Sequence, residues 1–289
     1  MVQNWDSEED TLMTSAGTFS RWFRPAFPVC LICGRDAGSP QRGNRVSPPV
    51  RHPEAQAILL RLCRFCSEAI PWIVAPVCRI CGRPEACPDC PRRLQRHVVF
   101  SRSGVRYDDK MSELLARYKY NGSEKLTPLM SAMLACAYER IARELGGNGP
   151  HAITSVPLAR ERLEERGFNQ AEQMARTVAA WYGILYAPLL KRDRHTQRQS
   201  LKNRSSRLRD LRGIFTLADR ECLQAIQSRH PQPLRILLAD DIYTTGSTMH
   251  ESASALRNTN QIEELEAAQP PCGPLSPGPS IYGLTWARS

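Results

Sequence analysis

No apolar run in the 289 residues approaches the roughly 18 that a membrane-crossing helix needs, so a helical span is not expected. The first twenty residues lack a basic start followed by an apolar core. They are polar and acidic instead, which argues against a secretory signal and for a cytoplasmic protein with a loose tail over 1–27. Acidic residues are the minority charge, 29 against 39 Lys and Arg. The resulting +10 suits an anionic partner, either nucleic acid or small phosphates. Nine basic residues against two acids fall within 191–212, and that stretch has no Phe, Tyr or Trp. Without a stacking platform it can meet a nucleic acid only through the phosphate backbone, or else it is a solvated loop and helix face.

Cysteine is abundant by contrast, with eleven residues. Eight of them form four Cys-x-x-Cys pairs: Cys30 with Cys33, Cys63 with Cys66, Cys78 with Cys81, and Cys87 with Cys90. Two thiolates on a tight knuckle reach one tetrahedral ion, so four pairs make two zinc sites. In a reducing compartment, metal explains this spacing better than disulfides do. Nearest-neighbour pairing places Cys30, Cys33, Cys63 and Cys66 on one zinc and Cys78, Cys81, Cys87 and Cys90 on the other. A crossed arrangement, joining Cys63 and Cys66 to Cys78 and Cys81, remains open. Closed four-thiolate sites have no free coordination position, so both zincs are expected to be structural. The expected organisation is a zinc-ribbon domain over 28–96, with a polar insertion at 34–54, followed by a larger domain over 97–289. Cys136, on an apolar helix, reads as a packed thiol.

The larger domain is organised around the stretch 234–248. An apolar run at 236–239 reads as a strand buried on both faces, ended by Asp240 and Asp241. Thr244, Thr245, Gly246, Ser247 and Thr248 follow as a hydroxyl-rich loop, and a helix after it would aim its free backbone N–H groups at a phosphate. The acids cannot face that phosphate, so they suit the hydroxyls of a sugar. Elsewhere, 97–107 suggests strands, and apolar spacing predicts a helix over 109–120. Thr127-Pro128 reads as an N-cap and first-turn proline before a helix reaching Leu145. A strand at 152–156, helices from Arg160 and over 171–182, an edge strand at 214–217 and a last strand at 281–287 complete an α/β pattern. It implies a mostly parallel sheet flanked by helices, with the site at the strands' carboxyl ends.

The acid pair and the Thr-Thr-Gly-x-Thr loop closely resemble the phosphoribosyl pyrophosphate (PRPP) signature of type I phosphoribosyltransferases. Further motifs are similar to the ComF (ComFC) family: Ser155-Val156-Pro157-Leu158, Arg160, Arg162, Arg166-Gly167-Phe168-Asn169-Gln170-Ala171, Arg194, Thr196, Gln199-Ser200, Arg204 and Phe215, with Lys119-Tyr120-Asn121-Gly122 and the cysteine pairs upstream. The resemblance covers roughly 28–257 and implies a type I phosphoribosyltransferase-like fold with an N-terminal zinc ribbon, associated in bacteria with competence and DNA uptake.

What it implies about the site is a magnesium–PRPP complex held by Asp240, Asp241 and residues 244–248, with Val156, Pro157 and Leu158 as the pyrophosphate loop and 166–170 as a cover. Such a glycosyltransferase displaces pyrophosphate from C1 of the ribose onto an acceptor that the sequence does not name. Cations are then needed at the leaving group, a role open to Arg160, Arg166 and Arg194, with carboxylates near C1. Asn169 and Gln170 are equally well placed as a helix cap. The alternative reading is a single-stranded DNA-binding accessory of the DNA-uptake proteins, in which the fold serves as scaffold or PRPP sensor. Here the sequence departs from its relatives in the proline-rich 269–279 connection, which leaves the register of the last strand open.

Overall fold

The computed structural model describes residues 29–37, 49–93, 95–120, 124–192, 213–230, 233–257 and 278–289. The calls on 1–27, on most of the 34–54 insertion and of the 191–212 basic stretch, on Asn121, Gly122, Arg194 and Arg204, and on most of the 269–279 connection lie outside them.

Five parallel strands build one sheet in the order β1 (Ser101–Arg106), β7 (Ser280–Arg288), β6 (Arg235–Tyr243), β2 (Ala152–Ser155), β3 (Leu185–Tyr186). Strand β6 alternates its side chains between two apolar layers. Leu237 and Ala239 pack with helices α3 (Asp109–Tyr120), α4 (Thr127–Glu144) and α6 (Gln170–Tyr182), whereas Ile236 and Leu238 pack with α7 (Arg220–Arg229) and α8 (Ser247–Arg257). A sheet covered on both faces needs strands apolar at every position, which is why 236–239 has no polar residue. The register of β7 is fixed by both neighbours: Leu284 lies opposite Ala239 on one side and Arg102 on the other.

The two cysteine clusters sit on opposite faces of this sheet. Cys30 and Cys63, with Ala55 and Leu59 of α1 (Pro53–Leu59), join the α4 layer, and Cys81 and Cys90 join the α8 layer. Polar anchors reinforce the first contact. Glu139 of α4 accepts from the backbone N–H groups of Arg51 and His52 at 2.8 and 2.9 Å, ahead of α1, and from the Tyr182 hydroxyl at 2.6 Å. Near the second cluster, buried Arg102 grips both carboxylate oxygens of Glu144 and donates to the Arg79 carbonyl at 3.1 Å.

Three expectations need correction. Strand β6 does not end at the acids; it runs on to Tyr243 because β7 continues beside it, pairing Ile242 with Ala287 and Tyr243 with Arg288. The segment over 214–217 does not edge the main sheet. Its strand β5 (Phe215–Leu217) pairs antiparallel with β4 (Leu190–Arg192) in a separate ribbon. Thr127 opens α4 without capping it: its hydroxyl donates to Gln173 at 2.9 Å on α6.

Glycine at 104 is required by the close approach of α4 to β1, since a Cβ there would stand 2.3 Å from the Met133 carbonyl oxygen. Backbone cannot rotate away as a side chain can, so Gly104→Ala should destabilise the fold by about 1–3 kcal/mol, the usual range for overpacking. Urea unfolding monitored by tryptophan fluorescence, to which Trp286, fully buried beside α4, contributes, checks this; an unchanged midpoint would show that the helix can shift freely.

Candidate functional site

Strand β2 pairs with β6 only as far as Ser155 opposite Ala239. Beyond that point no strand among the described residues pairs with the β2 side of β6, and the chain after β2 turns away through Val156, Pro157 and Leu158. Val156 still donates to the Ala239 carbonyl at 2.9 Å, which keeps this turn directly beside Asp240. The turn is braced from the other side by Asn169, whose amide donates to the Val156 carbonyl at 3.0 Å while its oxygen accepts from Ala171 N–H at 3.1 Å. Asn169 therefore caps α6 and holds the turn.

Asp240 and Asp241 stand at this opening, both partly buried. Burial first, and the Asp241 carboxylate second, push the Asp240 carboxyl well above its ordinary range, against the pull of the Asp241 backbone N–H and of Lys119. Lys119, in the last turn of α3, forms an ion pair with Asp241. The next residue, Tyr120, lies beneath the Arg166 guanidinium at 5.3 Å from ring centroid to Cζ, and Arg166 also donates to Gln170 at 3.0 Å. The end of α3 thus connects the acid pair to Arg166. Arg160, by contrast, is 81 % exposed and paired with Glu164 on its own helix, α5 (Arg160–Arg166), away from any such cluster.

After Tyr243 the chain turns through Thr244 and Thr245 into α8. Gly246 has φ +76°, and a Cβ there would lie 2.2 Å from the Tyr243 hydroxyl, so only glycine fits over that buried ring. Thr245 and Ser247 share a hydroxyl hydrogen bond of 2.8 Å at the helix start. Thr248 sits in the first turn, where backbone N–H groups have no partner within the helix. The structure therefore brings together the acid pair, the 244–248 loop, the 156–158 turn and, through Tyr120, Arg166. Sequence motifs gave Lys119 no role, and Arg93, Tyr243 and Arg288, which surround the loop from behind, carried no signal at all.

The cysteines resolve in favour of nearest-neighbour pairing. Cys30, Cys33, Cys63 and Cys66 form one group and Cys78, Cys81, Cys87 and Cys90 another, the sulfurs of each lying within 4.8 Å of one another. Tetrahedral zinc–thiolate bonds of about 2.3 Å require sulfurs about 3.8 Å apart; Cys33–Cys63 is 3.7 Å and Cys81–Cys87 is 3.5 Å. Each group also holds one thiol ready to ionise. Burial raises Cys30 and Cys87, but backbone N–H groups, from Cys33 and Cys63 for the one and Cys90 and Asp89 for the other, outweigh it and bring both down to about 7. The donor set and spacing fit structural zinc. Cys136 is buried and donates to the Ala132 carbonyl within α4, a packed thiol as expected.

These features define a parallel α/β protein with two four-cysteine groups able to hold a metal ion, and with the acid pair and the hydroxyl-rich loop at the carboxyl ends of the central strands. The chain belongs to the ComFC/YhgH family of competence and DNA utilization proteins. It is 30 % identical over 200 residues to DNA utilization protein YhgH of Salmonella typhimurium, covering 68 % of this chain and 83 % of that protein. Competence protein ComFC of Streptococcus pneumoniae is 30 % identical over 65 % of this chain and 78 % of its own length. ComFC of Bacillus subtilis is 27 % identical over 68 % and 78 % respectively. No family model matches the chain. Among the described residues no helix is long and apolar enough to cross a membrane.

Each group should take one zinc, two per chain. Cys87→Ser should lower zinc to one per chain by elemental analysis, with the first group still loaded; retention of two would mean three thiolates suffice at the second site.

Proposed function

We propose that this chain binds PRPP with magnesium and has the site of a phosphoribosyltransferase. The observation that carries the reading is the adjacency of the acid pair and the 244–248 loop at an opening where β6 has lost its β2 neighbour. Two carboxylates there accept from the ribose hydroxyls, and the helix start with its Thr and Ser hydroxyls receives the 5-phosphate. The 156–158 turn, next to Asp240, takes the pyrophosphate, with Arg166, linked to the acid pair through Tyr120 and Lys119, as a cation for it.

In such a transfer the C1–oxygen bond to pyrophosphate breaks as the acceptor's bond to C1 forms. Positive charge builds at C1 and negative charge on the leaving group. Asp240 and Asp241 stabilise the first and Arg166 the second. Magnesium, when bound, neutralises the pyrophosphate oxygens. Two carboxylates, one of them already paired with Lys119, would supply at most part of a coordination shell, which suits an ion that keeps its waters and its substrate oxygens. Calorimetric titration of the zinc-loaded protein with PRPP should show magnesium-dependent binding, lost by at least tenfold in Asp240→Asn with Asp241→Asn. Equal affinity in the double variant would remove the acids from the site.

A second reading concerns setting. The relatives' names attach them to competence and DNA utilization, and this chain carries +10, much of it in 191–212. We propose that it also contacts single-stranded DNA through backbone phosphates. Changing Arg204, Arg207 and Arg209 to Gln should then flatten the salt dependence of binding by about 2 in log–log slope. An unchanged slope would exclude that stretch as the DNA contact.

A further inference from the structure

The loop over 243–245 presents three consecutive backbone carbonyls to two arginines. Arg288 donates from Nη1 to the Tyr243 carbonyl at 3.0 Å and to the Thr244 carbonyl at 2.9 Å, and Arg93 donates from Nη2 to the Thr245 carbonyl at 2.7 Å. In a trans peptide the N–H points opposite to the preceding C=O. Drawing these three carbonyls to one side therefore turns the N–H groups of Thr244, Thr245 and Gly246 to the other. A run of N–H groups held on one side of a loop is an anion cradle, whereas a flipped peptide would place a carbonyl against the anion.

Both arginines are tied to the second cysteine group. Arg93 follows Cys90 by three residues, and Arg288 donates from Nη2 to the Cys81 sulfur at 3.4 Å. Arg288 is buried and stacks on the Tyr243 ring at 4.8 Å, the same ring that leaves Gly246 no room for a Cβ. The segment after the group also fixes the helix itself: the His97 backbone N–H donates to His250 Nδ1 at 3.2 Å in the first turns of α8. Burial first, and then Arg93, His97 and Arg96, bring the His250 imidazole down to about 3, which keeps Nδ1 available as an acceptor.

We infer that the second cysteine group is the clamp of the phosphate loop, with Arg93 and Arg288 as positioning residues that aim the loop's N–H groups at the 5-phosphate of a sugar phosphate. The inference rests on the proposed sugar-phosphate site and adds what holds it open. It predicts a selective defect. Arg93 orients the 5-phosphate end, whereas pyrophosphate belongs to the 156–158 turn, so losing Arg93 separates the two.

The test uses the zinc-loaded full chain, with ribose 5-phosphate and magnesium pyrophosphate as separate calorimetric probes and amide hydrogen exchange over 243–248 as a ligand-free readout. Arg93→Ala should weaken ribose 5-phosphate binding by about tenfold, the loss expected for one charge-assisted hydrogen bond. Magnesium pyrophosphate should be unaffected, loop amides should exchange faster, and Arg93→Lys should recover part of the affinity. Should Arg93→Ala shed its metal, the comparison of Arg93→Lys with Arg93→Gln carries the same contrast. Unchanged ribose 5-phosphate affinity with unchanged loop exchange overturns the clamp, as does equal weakening of both probes. If wild-type protein binds neither probe, the sugar-phosphate reading fails, and the exchange measurement alone decides whether Arg93 positions the loop.

Discussion

Among the described residues, strand β6 is paired on both sides as far as Ala239 and on one side beyond it. The placement of the acid pair follows from that change. Where two neighbours are present the strand must be apolar on both faces, and Ile236, Leu237, Leu238 and Ala239 are fully buried. Where β2 leaves, backbone and side chains regain access to solvent and ligand, and carboxylates become tolerable. Asp241 N–H and Ile242 N–H are then satisfied by the carboxylates of Asp240 and Asp241, at 2.8 and 2.6 Å, in place of a strand. Strand β7, still paired, holds the acids in a fixed frame while the other side opens.

The cysteine groups extend that frame outward in two directions. The first lies against the α4 layer, where Arg117 of α3 donates to the Ile32 carbonyl at 2.6 Å. Two residues on, Lys119 reaches Asp241. The second lies against the α8 layer and meets the loop through Arg93 and Arg288. Each cysteine group is thus connected to a different part of one opening, although the two are separated by the sheet.

Much of the fold was legible because it depends on local rules. The helix over 109–120 follows from the spacing of Met111, Leu114, Leu115 and Tyr118, all four of which are buried. The acid pair and its loop were legible for a similar reason, since strand, acids and glycine turn are contiguous in the chain. What escaped was whatever depends on partners distant in sequence. The length of β6 is set by β7, some 45 residues later. The role of Thr127 is set by Gln173. Arg288 is the extreme case: nothing near it in sequence marks it, and its distant partners include Tyr243, Thr244 and Cys81.

Lys119 gives the opening a resident counter-ion. Its ammonium and the Asp241 carboxylate are both largely buried, at 15 % and 21 % exposure, so the pair is weakly screened by water. A second cation brought to Asp241 would have to displace that ammonium from the carboxylate. The free energy of such a step would be a difference between two ion pairs, not the full strength of one.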